Sequence, residues 1–235
     1  MAINNQIREK RILAISAHPD DIEFTSGGSL ARWVGEGWTV SFVVCTDGDK
    51  GSQDPAIIPA ELAAIRRAEQ QAAADILDIT ETVFLDHPDG ELYRIPDLVE
   101  TLALHIRRQR PDRLVSWDPW KPYQLHPDHR AAGLAALDAV LAAGNPHYFP
   151  HQLTNGLFAH QIPEVYLYGA AEPDTWVDIT ATFEQKMTAI EAHRSQVGHL
   201  RTLAEQMSHC NRQYGEQGGS TYAEAFKRLH PFCDT

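Results

Sequence analysis

The chain has 235 residues, 43% of them hydrophobic and 22% charged, which suits one large folded domain and excludes a disordered chain. A formal net charge of −12, with no Lys/Arg run longer than two residues, argues against nucleic-acid binding. No apolar stretch approaches the ~20 positions of a membrane-spanning helix, residues 1–6 are polar without a signal-peptide core, and Cys45, Cys210 and Cys233 read as free thiols of a cytoplasmic protein, with zinc-finger chemistry excluded.

Strand-like and helix-like patterns then alternate. Residues 11–17 read as a strand and 27–36 as the helix after it. A second strand covers 38–45, and 60–77 is an Ala/Glu/Arg/Gln-rich helix. Residues 82–85, 96–110, 113–117 and 127–142 continue as strand, helix, strand and helix. Such alternation requires right-handed crossovers, so the expected fold is α/β: Rossmann-like, with a mostly parallel sheet flanked by helices. Past Gly144 a Pro/His-rich loop covers 145–151. Short strands follow at 165–168 and 176–179, then helices at 183–193, 199–207 and 221–228. No linker, repeat or low-complexity tract interrupts the chain. The expectation is a single domain, with residues 1–143 as an α/β core and 144–235 as a C-terminal elaboration.

Two short motifs carry the chemistry. His18-Pro19-Asp20-Asp21 follows the first predicted strand directly. His126-Pro127-Asp128-His129 follows the fourth and opens a helix, with Pro127 at the first helical position and Asp128 in the first turn. The strands of a parallel sheet end on one edge, where ligands bind. Both motifs therefore face one crevice. A catalytic zinc takes three ligands from His and carboxylate and keeps a fourth position open. Carboxylates left over serve as base or orient the ligands. Either motif alone reads as a capped turn; the pair on matched edges reads as a metal site. His and Asp donors suit Zn2+, and Fe2+ or Co2+ as substitutes. No Gly-x-Gly-x-x-Gly, Walker A or Gly-x-Ser-x-Gly pattern supports a nucleotide-binding or serine-hydrolase reading.

With Ala17 before the first motif, the sequence resembles the PIG-L/LmbE-like zinc-dependent N-deacetylases. The resemblance extends to Arg66-Arg67-Ala68-Glu69, Asp89-Gly90-Glu91-Leu92, Val177-Asp178-Ile179, Lys186 and Ala192-His193-Arg194-Ser195-Gln196. It implies that His18, Asp21 and His129 hold the metal and that Asp20 is the general base on a metal-activated water. It implies also that His126 faces the substrate carbonyl, paired with Asp128, and that Arg66 contacts substrate. The implied substrate is a small N-acetylated amino sugar or conjugate of the N-acetylglucosamine type. Ile22 stands where many members have Glu directly after the two aspartates; here the acid is Glu23.

Other residues carry two readings each. Arg66 would otherwise form a surface ion pair with Glu69. Trp120 and Tyr123 precede His126 and either stack on a sugar or pack ordinarily. Asp118 orients a ligand or caps a turn. His193 is either a core histidine or a substrate contact. His147, His151 and His160 read as a solvated loop. Two rival functions stand beside the deacetylase: an amidase for a larger N-acyl or thiol-conjugate substrate, and a non-catalytic, metal-stabilised binding protein. A homo-oligomer is left open.

Overall fold

The computed structural model describes residues 9–154 and 156–232. Residues 1–6 and Cys233 lie outside them; Cys45 is a buried free thiol and Cys210 an exposed one. The described residues form one sheet from β1 (Arg11–Ser16), β2 (Thr39–Thr46), β3 (Glu81–His87), β4 (Arg113–Trp117), β5 (Glu164–Tyr168), β6 (Thr175–Asp178) and β7 (Ala223–Leu229). The strand order is β3-β2-β1-β4-β5-β7-β6. The first five are parallel. Strand β7 runs antiparallel between β5 and β6.

The apolar runs of β1 and β2 are buried on both faces: Ile12, Leu13, Ala14, Ile15, Val40, Phe42, Val43 and Val44 are essentially inaccessible. Strands of this kind need a helix layer on each side. The helices are α1 (Asp21–Gly35), α2 (Pro59–Ile76), α3 (Leu98–Gln109), α4 (Pro127–Gly144), α5 (Phe183–Ala192), α6 (Arg194–Val197) and α7 (Leu203–Gly218). Helix α5 packs on α1 and α2, whereas α3 packs on α4. Right-handed crossovers put the helices after β1 and β2 on one face and those after β3 and β4 on the other. The order therefore reverses between β1 and β4, neighbours paired Leu13↔Leu114 and Ala14↔Val115. No described helix is long and apolar enough to cross a membrane.

Three elements differ from the sequence expectation. Helix α1 begins at Asp21, not residue 27, because Asp20 adopts a left-handed backbone (φ 97°) that turns β1 straight into the helix. Gly28 consequently lies inside α1, where a Cβ would come within 2.8 Å of Ile179. The helix expected at 199–207 starts later, at Leu203, and runs to Gly218. The helix expected at 221–228 is instead strand β7. Its Ala, Glu and Lys residues favour helix, but tertiary contacts override propensity. Its backbone joins β5 to β6, and Glu224, 1% exposed, accepts from Gly28 N (3.1 Å), Ser29 N (2.7 Å) and Lys186 Nζ (2.6 Å).

A second buried charge closes the far end of α4. The Arg107 side chain is inaccessible and donates to the carbonyls of Ala142, Ala143, Asn145, Tyr148 and Phe149 and to Gln152 Oε1. It adds a donor to the carbonyls at the α4 terminus and in the loop after it, where the helix dipole favours a cation. Arg107→Met removes these hydrogen bonds, leaving Tyr148 O and Gln152 Oε1 without the donor they have here and the other carbonyls with a backbone amide alone, a loss of about 3 kcal/mol. The expected result is a Tm lower by about 6–12 °C in thermal denaturation; an unchanged Tm would contradict this role.

Candidate active site

The loops after β1 and β4 meet at the point where the strand order reverses. The link is one carboxylate oxygen. Asp21 Oδ2 accepts from Ala17 N (3.0 Å), His18 N (2.8 Å) and Trp117 Nε1 (3.0 Å), the last from the end of β4. This fixes the side chain and leaves Oδ1, which lies 3.3 Å from His129 Nε2. Burial pushes the Asp21 carboxyl up, but hydrogen bonds from His129 and His18 prevail and hold it well below the usual range.

His18 is anchored by its other nitrogen. Its Nε2 is 3.1 Å from Asp89 Oδ1 and 3.4 Å from Asp128 Oδ2, and its Nδ1 is 3.5 Å from Asp21 Oδ2. Burial favours the neutral ring, yet Asp128, Asp21 and Asp89 together raise its pKa well above the ordinary histidine value. His129 stacks on Trp117 at 3.9 Å between centroids, and His126 stacks on His129 at 4.5 Å.

The pairing expected between the His126 and Asp128 side chains is not formed. The Asp128 carboxylate instead accepts from Gly90 N (2.5 Å) and Leu92 N (3.1 Å), which ties the loop after β3 to α4. His126 Nδ1 accepts from the Asp128 amide at 3.3 Å and so caps α4. Burial, reinforced by His18 and His129, lowers the His126 pKa. A ring that accepts at Nδ1 while neutral carries its proton on Nε2.

Asp20 sits beside this group without entering it. Its Oδ2 is 3.1 Å from Arg66 Nη2, which also donates to Pro19 O at 2.6 Å, while Arg66 Nη1 donates to Gly48 O at 3.0 Å. Burial pushes the Asp20 carboxyl up to about 6, against the opposing pull of Arg66. Arg66 is therefore no surface residue: it is 3% exposed, and Glu69 is taken by Ser195 N and Oγ. A Cβ on Gly48 (φ 65°) would strike its guanidinium at 2.5 Å, so glycine is required there.

Of the remaining candidates, His193 is fully buried, 3.4 Å from Glu23 Oε2. Tyr123 and Trp120 are 95% and 64% exposed on the loop before His126. Asp118 accepts from Trp120 N and shapes that loop. Asp89, to which the sequence gives no role of its own, has two signals there: it opens the Asp89-Gly90-Glu91-Leu92 motif, and it follows β3 on the same sheet edge as both histidine motifs.

Among the described residues, two donor sets fall within 4.8 Å: His18, His126 and His129, and His18, Asp89 and Asp128. In the second, Asp128 is already held by two amides and both carboxylates face His18 Nε2, the manner in which acids orient a ligating imidazole. Around Asp21 three more donor atoms come together: His18 Nδ1, 3.5 Å from Asp21 Oδ2, and Asp21 Oδ1 with His129 Nε2, 3.3 Å apart. His129 Nδ1 is buried without a hydrogen-bond partner. Asp20, Asp21, Asp89 and Asp128 converge here with Arg66 as their cation, so the charge and donor chemistry fit a divalent metal ion.

An α/β sheet with a cation-fitting His/Asp centre at its switch point is thus the class the fold and site define. The family model described as PIG-L, GlcNAc-PI de-N-acetylase, matches residues 13–140. The chain belongs to this family. It is 34% identical over 227 residues to a diacetylchitobiose deacetylase of Thermococcus kodakarensis, covering 93% of this chain and 82% of that one. The solved N,N'-diacetylchitobiose deacetylase of Pyrococcus horikoshii superposes with a TM-score of 0.90 at 32% identity, over 95% of this chain and 85% of that one. A 4-carboxy-2-hydroxymuconate hydratase of Pseudomonas putida shares the fold at a TM-score of 0.77 and 25% identity, over 96% and 98% of the two chains.

The Trp117 indole is the link from β4 to Asp21, and Trp117→Phe removes its N–H together with part of the ring that stacks on His129. Zinc affinity, measured by competition with a chromogenic chelator, is expected to fall about 10–100-fold. Undiminished affinity would show that Asp21 needs no such anchor.

Proposed function

We propose that this protein is a metal-dependent N-deacetylase, removing the acetyl group from an N-acetylglucosamine-type amino sugar or its conjugate. The observation that carries the reading is Asp20: a carboxyl beside the His18, Asp21 and His129 donors, outside that set, and shifted by burial toward neutrality. General bases work best with a pKa near the operating pH. The deacetylase relatives support the reaction class. The hydratase relative means that the fold alone does not assign it.

His18, Asp21 and His129 would hold the ion, with zinc suited to their chemistry. When bound, a divalent ion supplies Lewis acidity toward water and the amide carbonyl. Asp20 accepts the proton of the attacking water. The His126 Nε2–H donates to the carbonyl oxygen as it gains negative charge, which a neutral ring does without first acquiring a proton. Asp20 then returns its proton to the leaving nitrogen, the C–N bond breaks, and acetate and a free amine result. Arg66 keeps Asp20 aimed throughout, and Asp89 and Asp128 fix the ring of His18.

Acetate release from N,N'-diacetylchitobiose tests the reading. Activity should vanish on chelation and return with Zn2+, and Asp20→Asn should lower kcat about 10²–10⁴-fold with metal content unchanged. N-acyl sugars of increasing chain length separate a deacetylase from a broader amidase. Full activity of the Asn variant, or no acetate from any N-acetyl sugar by the zinc-loaded protein, would refute the proposal.

A further inference from the structure

Asp20 is a non-glycine residue in the left-handed region (φ 97°, ψ −29°) at the junction of β1 and α1. Such a conformation is unfavourable and persists only where surrounding contacts over-determine it. Arg66 grips the Asp20 carboxylate and the carbonyl before it, but not the Asp20 amide. That amide donates to Gln70 Oε1 at 2.9 Å. Gln70 lies one turn along α2 from Arg66 and is fully buried.

The sense of the Gln70 side chain is itself fixed. Its Nε2 donates to Glu23 Oε1 at 2.7 Å, and Glu23, fully buried, has His193 Nε2 at 3.4 Å from its second oxygen. Flipping the amide would set N–H against the Asp20 N–H and oxygen against the Glu23 carboxylate, two repulsive contacts in place of two hydrogen bonds. Neither Glu23 nor His193 touches the crevice donors. Their arrangement has a purpose if Gln70 must present oxygen, and only oxygen, to Asp20.

We propose that Gln70 is the positioning residue of the site: its oxygen holds the Asp20 amide and thereby the left-handed turn that sets this carboxyl beside Asp21, with Glu23 holding Gln70 in the required sense. The inference rests on the role of Asp20 given above for its kinetic consequence, and on geometry alone for its structural one.

Gln70→Met removes the acceptor while keeping length, and Gln70→Asn keeps the amide one methylene short. In crystal structures of either variant, Asp20 φ is expected to leave the left-handed region. In kinetics on N,N'-diacetylchitobiose, kcat is expected to fall about 10²-fold, as displacements near 1 Å do, with KM within about twofold and zinc content unchanged. A purely structural role would lower Tm and leave kcat intact. Asp20 keeping its conformation in the variants, or kcat within about twofold of wild type, would overturn the proposal. If the wild-type protein releases no acetate, the deacetylase reading fails, and the variant crystals still decide this one. The Asn variant supplies both readouts should the Met variant not fold.

Discussion

Three hydrogen bonds to one oxygen of Asp21 organise the rest of the site. Two come from the chain leaving β1 and one from the last residue of β4, so a single carboxylate ties together the two loops flanking the switch point. Because that oxygen is saturated, the other is left to the crevice, next to His129. Asp21 is also the first residue of α1, where a negative charge is favoured by the helix dipole. One residue thus closes the loop, starts the helix and leaves a carboxylate oxygen beside His129.

Around it the same economy recurs. Asp128, in the first turn of α4, accepts two amides of the loop after β3, so the third loop is fastened to the fourth. Asp89 in that loop reaches His18 in the first. The C-terminal ends of β1, β3 and β4 are in this way locked together through carboxylates. The outcome is a dense negative charge in a buried place, with Arg66 as the cation drawn in among them. Such clusters are costly unless a cation joins them, and that cost ties the geometry to metal chemistry. A hydratase shares this fold, so the sheet alone does not set the reaction.

Much of this was legible in the sequence because it depends on local pattern. Apolar strands alternating with helices fixed a parallel sheet, and a parallel sheet brings the two His-Pro-Asp motifs to one edge. What was not legible depends on partners far along the chain. Residues 221–228 have helical composition and become β7 because β5 and β6 lack a neighbour there. Arg66 reads in sequence as a substrate contact or as a surface ion pair with Glu69, and is buried because Asp20 and Gly48 meet it. His126 and Asp128 looked like a side-chain pair, but two amides claim the carboxylate first. Gln70 carried no signal beyond its place one turn after Arg66. The start of α1 is set by the left-handed turn at Asp20, a conformation that Asp tolerates more readily than most residues but that depends here on contacts with Gln70 and Arg66, far along the chain.

We propose one metal site formed by the donors of His18, Asp21 and His129, with Asp89 and Asp128 orienting His18 from behind. Anomalous diffraction at the zinc edge from crystals soaked in stoichiometric Zn2+ tests it most directly. The account predicts one peak within coordination distance of His18 Nδ1, Asp21 Oδ1 and His129, with Asp20 unligated beside it. A peak held instead by His18 Nε2, Asp89 and Asp128, or no peak at all in the crevice, would contradict it.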